Sequence, residues 1–521
     1  MQEPREIELK LEILPAAVKR LRTRGLALFG QASTSQRLSS VYYDTPKHAL
    51  RKAGLTLRIR SAGDRYIQTV KAGGETGAGM FDRPEWESDV EAPEPDLDAV
   101  SGTPAGPVLA RKGRIGTLEP VFETRVERAT WHVETEGSEI EVALDEGQVL
   151  ADGRANPIAE LELELKRGTP ADLFALARNL GGSGGLKIGV LSKSERGYAL
   201  ADGTRPSSFK AGRLKLDRRM STGEAFQVIG RACIRHFRLN EPGVIELRAP
   251  EALHQARVAL RRLRSVLSLF GDVVADAQLE RIKRRLREVS TRLGEARNLD
   301  VYMARLTRSN GEGSPAEPGT IDFIARLEAE RAAAYDRVIA ALASRRFQRL
   351  MLDLVEWIEC GPWCLAQAPE ARARRERLVQ EFAEEVLDRR RRKVKKTGRN
   401  LAELAPEARH EVRIHAKKLR YASEFFAGLV KGKKNMKRHK AFVAALEELQ
   451  SCLGDLNDIQ TGHEMVAGLA QGVERPDDEG SPTWLFAAGH VTGEEDERAA
   501  ALLNSAAKAH RDLVKAKPFW R

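Results

Sequence analysis

The sequence predicts a multidomain α+β protein, an antiparallel β domain followed by an all-α helical bundle. Three observations carry this expectation. At 521 residues the chain is too long for one ordinary hydrophobic core. Up to about residue 203, short runs alternate apolar and charged side chains, the period of a strand. After about residue 217, apolar residues recur at three and four, the period of a helix.

Alternation marks the runs Ile7–Leu11, Leu55–Arg60, Tyr66–Lys71, Glu139–Asp145 and Glu160–Lys166 as strands. Stretches rich in Gly, Pro and Asp, such as Lys71–Gly79 and Ala92–Asp98, separate them. Helices are expected near Pro15–Thr23 and Pro170–Leu180, the second closed by the Gly181–Gly185 cluster. Asp202–Arg219 has turn residues and no period. We therefore divide the chain into a domain at 1–203, a linker at 204–216 and a helical domain at 217–515. Helix breaks are expected at Asn240–Val244, Ser309–Gly319, Gly361-Pro362, Gly398 and Gln471–Pro482. The helical half also repeats itself. His254-Gln-Ala-Arg257-Val-Ala-Leu-Arg261-Arg262-Leu263-Arg264 matches His410-Glu-Val-Arg413-Ile-His-Ala-Lys417-Lys418-Leu419-Arg420, and Leu293–Asp300 matches Leu453–Gln460. Two units, about 217–368 and 369–515, follow.

Hydrophobic residues make up 42% and charged residues 31%, which excludes a wholly disordered chain. No run approaches the ~18 apolar residues that span a bilayer. The start, Met1-Gln2-Glu3-Pro4, does not read as a secretion signal. The four cysteines form no Cys-x-x-Cys pair. A cytoplasmic protein is expected, with no membrane partner. The net charge of +11 points to an anionic partner, and its distribution is uneven. Residues 1–210 hold 29 basic and 31 acidic side chains, whereas 211–521 hold 57 and 44, a net of +13.

Residues i and i+2 of a strand share a face. Glu6, Glu8 and Lys10 therefore stand together, as do Arg58 with Arg60, Glu85 with Glu87, and Glu160, Glu162 and Glu164. On one strand this is the ordinary sign of a solvated sheet face. Across several strands it concentrates carboxylates beside fixed cations. Hard cations want carboxylate and phosphate oxygens together, and Arg and Lys bind phosphate directly. Neither a Walker A loop nor a Ser-His-Asp arrangement is visible.

Here the chain resembles the CYTH-domain proteins, the triphosphate tunnel metalloenzymes. Glu6-Ile7-Glu8-Leu9-Lys10 is similar to their ExExK signature. The likeness continues through Tyr42–Thr45, Leu57–Arg60, Thr69–Lys71, Glu85-Trp86-Glu87, Arg125, Leu144-Asp145, Ala159–Glu162 and Ser192–Tyr198. The resemblance implies an eight-stranded antiparallel tunnel. Glu6, Glu8, Asp145, Glu160 and Glu162 would hold Mg²⁺ or Mn²⁺, two ions being expected, with Glu85 and Glu87 on the same acidic side. Lys10, Arg58, Arg60, Lys71, Arg125 and Lys193 would grip a triphosphate. Glu160/Glu162 and Glu162/Glu164 fit equally on parity as the metal pair. Arg128 lies on the opposite parity from Arg125 and ranks behind it as a ligand, unless a bulge intervenes.

On a helix at ~100° per residue, His254, Arg257, Arg261 and Arg264 fall on one stripe, and His410, Arg413, Lys417 and Arg420 on another. Like charges at i, i+4 repel, and an anionic ligand would relieve them. These stripes resemble the CHAD domain, whose repeated helices line a basic groove; the resemblance implies binding of inorganic polyphosphate. Arg389–Lys396 and Lys431–Lys440 extend the basic surface. The two stripe histidines have no zinc-ligand spacing. Specific nucleic-acid binding is not expected, because aromatics are only 6% and no recognition motif is present. The expected function is a metal-dependent inorganic triphosphatase with a polyphosphate-binding module. Thiamine triphosphatase, adenylate cyclase and a non-enzymatic polyphosphate-granule protein are the alternatives; the expected localisation is cytoplasmic, with polyphosphate granules as a secondary option.

Overall fold

The computed structural model describes residues 4–29, 33–73, 77–111, 118–135, 137–181, 185–204, 206–309, 318–471 and 499–521. The chain forms two compact units, 1–209 with 234–239 and 343–365, and 210–233 with 240–342 and 366–521.

The first unit is built on strands β1 (Arg5–Ile13), β2 (Thr34–Asp44), β3 (Leu55–Ala62), β4 (Arg65–Ala72), β5 (Met80–Val90), β6 (Glu119–Thr135), β7 (Ser138–Ala151), β8 (Arg154–Arg167) and β9 (Leu186–Ile188). Helices α1 (Pro15–Phe29), α2 (Ala49–Ala53), α3 (Leu97–Ser101), α4 (Ala105–Ala110), α5 (Pro170–Leu180) and α6 (Lys193–Ala201) accompany them. The strand order is β5-β4-β3-β2-β6-β7-β8-β1, and β5 pairs back onto β1, closing an eight-stranded antiparallel barrel. The short β9 adds to β1 at Leu11–Ile13. The closed antiparallel fold agrees with the expectation.

Alternation explains the wall. Leu9, Leu11 and Ile13 are buried on one face of β1, while Glu6, Glu8 and Lys10 face the barrel interior. One part of the interior is apolar: Tyr42, Phe122, Val126, Val149 and Ile158 cluster with Tyr198 and Leu200 of α6. The Phe122 ring stacks on Tyr42 at 4.4 Å and meets Tyr198 edge-on at 5.1 Å. A capping box fixes the start of α6. The Ser192 amide donates to Glu195 Oε2 at 2.8 Å, and the Glu195 amide donates to Ser192 Oγ at 3.2 Å. Gly197 is needed for close approach, since a β-carbon there would overlap the Phe122 ring. The polar tunnel thus lies beside a packed apolar plug, and α6 bridges the two.

The helical region comprises α7 (Thr222–Ile245), α8 (Pro250–Leu269), α9 (Leu279–Ser309), α10 (Pro318–Ala343), α11 (Arg345–Cys360), α12 (Pro362–Leu365), α13 (Pro369–Glu376), α14 (Val379–Thr397), α15 (Pro406–Phe425) and α16 (Lys433–Gln471), with a last helical stretch at 499–515. Breaks fall at Gly361 and Gly398 as expected. The break expected at Asn240–Val244 does not occur. Helix α7 continues through Pro242 to Ile245, because a proline so near the C-terminal end removes only one hydrogen bond of the last turns. The other two expected breaks lie largely outside the described residues.

The repeat is visible in the packing. Helices α8 and α15 each span 20 residues, start with Pro and end before Phe270 and Phe426. Helix α8 packs on α9, α15 on α16, and α8 on α15. Phe226, Phe270, Phe382 and Phe426 form one aromatic cluster. Phe270 lies 5.6 Å from Phe226, 4.7 Å from Phe382 and 6.3 Å from Phe426. Phe226 corresponds to Phe382 and Phe270 to Phe426 by the same sequence offset, so equivalent residues of the two repeats share a core. Among the described residues, no helix is long and apolar enough to cross a membrane.

Candidate functional site

Cross-strand partners in an antiparallel sheet share a face, so the register builds the tunnel. Tyr42 lies opposite Arg58, Arg58 opposite Thr69, and Lys71 opposite Glu85. Glu6 faces Arg83, Lys10 faces Glu162, and Asp145 lies between Arg128 and Glu160. These side chains enclose a cavity of ≈ 210 Å³. Its wall carries the carboxylates Glu6, Glu8, Glu85, Glu87, Glu141, Glu162 and Glu164. Against them stand Lys10, Arg58, Arg60, Lys71, Arg83, Arg128, Lys166 and Lys193.

Two acidic groups stand out. In the first, oxygens of Asp145, Glu160 and Glu162 lie within 4.8 Å of one another, and Asp145 and Glu160 are fully buried. Arg128 donates to both Asp145 oxygens at 2.8 and 2.7 Å and to Glu162 at 2.8 Å. Lys193 pairs with Asp145 at 2.7 Å, with Glu162 at 2.9 Å and with Glu160. Lys10 reaches Glu160 at 3.2 Å and also Glu162. In the second group, Lys71 donates to Glu6 at 2.7 Å and pairs with Glu85 at 3.0 Å. Arg83 donates to Glu6 at 3.1 Å and to Glu8 at 2.7 Å.

These contacts set the protonation states. Burial favours the neutral form of Asp145, yet Lys193 and Arg128 hold its pKa well below the usual carboxylate range. Burial of Glu162 is likewise outweighed by Lys10, Lys193 and Arg128, and that of Glu6 by Lys71 and Arg83. Glu8 goes the other way, because burial and then the Glu6 charge raise it. Burial, then Arg58 and Arg128, push the Arg60 guanidinium down to about 10.

The donor set fits a divalent cation. Three oxygen ligands of one buried cluster suit a hard ion, and Glu160 Oε2 is buried without a hydrogen-bond partner. The opposite wall fits an anion: the Nε atoms of Arg58 and Arg60 are buried and also lack hydrogen-bond partners.

Glu6, Glu8, Lys10, Arg58, Arg60, Lys71, Glu85, Glu87, Glu162 and Lys193 all line this cavity, with Asp145 and Glu160 directly behind. Arg125 does not. Its side chain is 63% exposed and pairs with Glu123 at 2.7 Å on the outer face of β6. Arg128, three residues on, points inward instead, because the β6–β7 register sets it opposite Asp145. The three glutamates of β8 differ in their surroundings. Glu160 and Glu162 join Asp145, while Glu164 pairs with Lys166 at 2.6 Å and lies opposite Glu141. Arg83 was not singled out from the sequence, and Glu141 and Lys166 shared a strand face with Asp145 and Glu164 there but had no site role. Arg83 shares its parity with Glu85 and Glu87, and Lys166 with Glu164, and that was the available signal.

In the helical unit, α8 and α15 bring Arg257, Arg261, Arg413 and Lys417 together. Burial, then Arg261 and Arg297, push Arg257 down to about 10. Burial, then Arg413 and Arg261, push Lys417 down to about 6. Asp458 lies 3.8 Å from Arg413. Arg257 Nη1 and Arg413 Nε are buried without hydrogen-bond partners. The second repeated motif explains the fit: a β-carbon at Gly294 would stand 2.7 Å from Arg257 Nη1, and one at Gly454 3.8 Å from Arg413 Nη2. Gly294 thus makes room for the Arg257 guanidinium, whereas a β-carbon at Gly454 would only touch that of Arg413. His410 Nδ1 and Asn457 Oδ1 are 2.9 Å apart. The outer members of the stripes stand apart from this cluster. Arg264 is exposed and lies beside Arg287, and Arg420 pairs with Glu424 at 3.3 Å and Glu447 at 3.7 Å.

Fold and site together define a class: a closed β-tunnel with a charged interior, followed by a duplicated helical domain with buried cations. Residues 4–198 match the family model of the CYTH domain and residues 228–467 that of the CHAD domain. The chain therefore carries a CYTH domain followed by a CHAD domain. It is 36% identical over 197 residues to an inorganic triphosphatase of Haemophilus influenzae, a match covering 37% of this chain and 54% of that protein. The chain thus spans about half the length of this curated relative. The crystal structure of the CHAD domain from the plant Ricinus communis is similar at 29% identity and a TM-score of 0.50, covering 58% of this chain and 96% of that one. A putative adenylyl cyclase from Hippeastrum, described as having a dominant triphosphatase activity, matches at 21% identity and a TM-score of 0.29 over 39% of this chain and 97% of its own.

Proposed function

We propose that the protein is a metal-dependent inorganic triphosphatase whose helical half binds inorganic polyphosphate. One observation carries the first part: two carboxylate groups confront Arg58, Arg60, Lys71, Arg128 and Lys193 around a single cavity. The Haemophilus relative and the CYTH match support the reaction class. Among the described lining residues the sole aromatic is Tyr42, whose ring is already stacked on Phe122. Nothing there offers a face to an adenine or a thiazolium, which favours the bare inorganic chain.

The guanidinium groups grip phosphate oxygens through paired N–H donors, and the lysines add point charges. Asp145, Glu160 and Glu162, with Glu6 and Glu8, would hold Mg²⁺ or Mn²⁺, one ion for each acidic group. When bound, the metal would supply further neutralisation of the phosphate oxygens. A carboxylate of the acidic side takes the proton of the attacking water. Arg58, Arg60 and Arg128 then stabilise charge on the departing phosphate.

The test offers the purified protein, with Mg²⁺ or Mn²⁺, inorganic triphosphate, ATP, thiamine triphosphate and long-chain polyphosphate. Triphosphate should be cleaved fastest, and Glu6→Gln/Glu8→Gln should abolish cleavage. Release of phosphate from none of them, or release undiminished in the double variant, overturns the reading. The second part rests on the cation cluster of α8 and α15. Polyphosphate binding should be lost when Arg257, Arg261, Arg413 and Lys417 become alanine; equal competition by double-stranded DNA at physiological salt would reduce it to general electrostatics.

A further inference from the structure

We propose that Arg83 is an exchangeable counter-ion, holding Glu6 and Glu8 in the free tunnel and transferring to phosphate when metal and triphosphate enter. The inference rests on the triphosphatase reading and assigns a role to a residue that reading does not use.

Arg83 lies directly opposite Glu6 where β5 closes onto β1. Its Nε donates to Glu6 Oε2 at 3.1 Å and its Nη2 to Glu8 Oε1 at 2.7 Å. Lys71 divides itself between Glu6 and Glu85. Arg83 is therefore the cation that bridges both members of the Glu6–Glu8 pair. The oxygens it occupies are those a divalent ion would need, so metal and guanidinium compete for them.

The geometry also says where a displaced guanidinium goes. Gly73, which carries no β-carbon, lies against Arg83 Cβ, and the guanidinium lies 5.2 Å from the Phe81 ring centre. Arg83 lines the tunnel and also an adjoining chamber of ≈ 70 Å³, which it shares with Thr56, Lys71, Ser192 and Ser194. A guanidinium leaving Glu6 and Glu8 toward this chamber meets Thr56, Ser192, Ser194 and Glu195 beside the apolar Leu55, Ala72 and Tyr198, and a phosphate group entering there is the matching bidentate partner.

Exchange of this kind couples two ligands. Metal alone leaves Arg83 with carboxylates that already have partners, Glu85 on Lys71 at 3.0 Å and Glu195 on the Ser192 amide at 2.8 Å, whereas metal with triphosphate gives it a new one. Each ligand then tightens the other by the same factor. Removing the guanidinium should free the carboxylates for metal and weaken the phosphate grip, opposite shifts that loss of structure does not produce.

The experiment is calorimetric titration of the full chain with Mn²⁺, alone and with a non-hydrolysable methylene-bridged triphosphate, in wild type, Arg83→Met and Arg83→Lys. In wild type the analogue should tighten Mn²⁺ binding by roughly tenfold, the size expected for coupling of this order. In Arg83→Met, Mn²⁺ alone should bind several-fold tighter, the analogue several-fold weaker, and the coupling should fall to the part that direct attraction between metal and phosphate supplies. Arg83→Lys keeps the charge and should keep most of the coupling, which preserves the test if Arg83→Met folds poorly. Mn²⁺ affinity unchanged or weakened in a folded Arg83→Met, with coupling intact, overturns the inference while triphosphate hydrolysis by wild type still stands. A wild type that binds neither Mn²⁺ nor the analogue overturns the triphosphatase reading and this inference together.

Discussion

Replacing Lys417 by methionine tests whether the cation cluster of α8 and α15 takes up a proton when it binds a polyanion. Burial, then Arg413 and Arg261, bring the Lys417 amine to about 6 from the ordinary 10.5; Asp458 pulls the other way and Arg257 adds to the depression. The free protein therefore carries this amine neutral above pH 6 and charged below it. Polyphosphate neutralises the surrounding guanidinium groups and returns the amine toward its ordinary value. Between the two values, binding takes up a proton, so affinity rises as pH falls from 8 toward 6 and levels off below. A full proton is worth about tenfold per pH unit, ~1.4 kcal/mol. The assay is calorimetry of polyphosphate binding at pH 7.5 in buffers of different ionisation enthalpy. Wild type should take up close to one proton more than Lys417→Met. The remainder reports His254, which burial and then Arg297 hold below the ordinary histidine value. Equal uptake in the two proteins, or proton release, refutes the reasoning.

The tunnel gives further tests. Arg128→Met should lower kcat/KM for triphosphate by ~100-fold or more, the scale of losing one positioned transition-state donor, while Arg125→Met should stay within about twofold because it lies outside; comparable losses in both would contradict the register. Glu160→Gln should raise the Mg²⁺ concentration for half-maximal activity by ~10-fold, as loss of a charged ligand does, measured by metal titration at saturating triphosphate. Gly197→Ala should cost ~1–3 kcal/mol by overpacking against Phe122, read as a lower denaturant midpoint. In the helical unit, Arg261→Ala should weaken polyphosphate binding several-fold more than Arg264→Ala, since Arg264 lies in the open beside Arg287.

Much of the tunnel was legible because a strand's period is local. Glu6, Glu8 and Lys10 share a face whatever β1 pairs with, and the same holds for Arg58 with Arg60 and Glu85 with Glu87. What local alternation does not carry is which strand faces which, and at what offset. The choice between Arg125 and Arg128 depended on that. Yet the pairing of Thr135 with Ser138 at the β6–β7 turn contains the answer: seven residues back along β6 and seven forward along β7 stand Arg128 and Asp145. A hairpin register counted from its two-residue turn would have placed Arg128 inside. Arg83 escaped notice for another reason. Read on its strand it is one charge beside two glutamates, and only closure of β5 onto β1 brings it to Glu6 and Glu8. The continuation of α7 through Pro242 shows the opposite failure, where a strong local breaker was overruled near a helix end.

The two repeats of the helical unit are equivalent in packing but unequal in charge, and the inequality bears on binding. Each places a glycine beside the first arginine of its stripe, Gly294 at Arg257 and Gly454 at Arg413. At the following matched positions the first repeat has Arg297 and Asn298, whereas the second has Asn457 and Asp458. Arg413 thus has a carboxylate 3.8 Å away, while Arg257 feels the same Asp458 charge but also the added repulsion of Arg297. Arg257 therefore stands to gain more from an anion than its partner does. A polyphosphate chain should engage the first repeat more strongly, and exchanging Asn298 for aspartate should weaken binding by supplying the counter-charge that the second repeat already holds. Asp458→Asn should do the reverse and strengthen it. Both shifts are measurable in one titration series with polyphosphate of fixed length. If the two variants move affinity in the same direction, the cluster is not a shared electrostatic site.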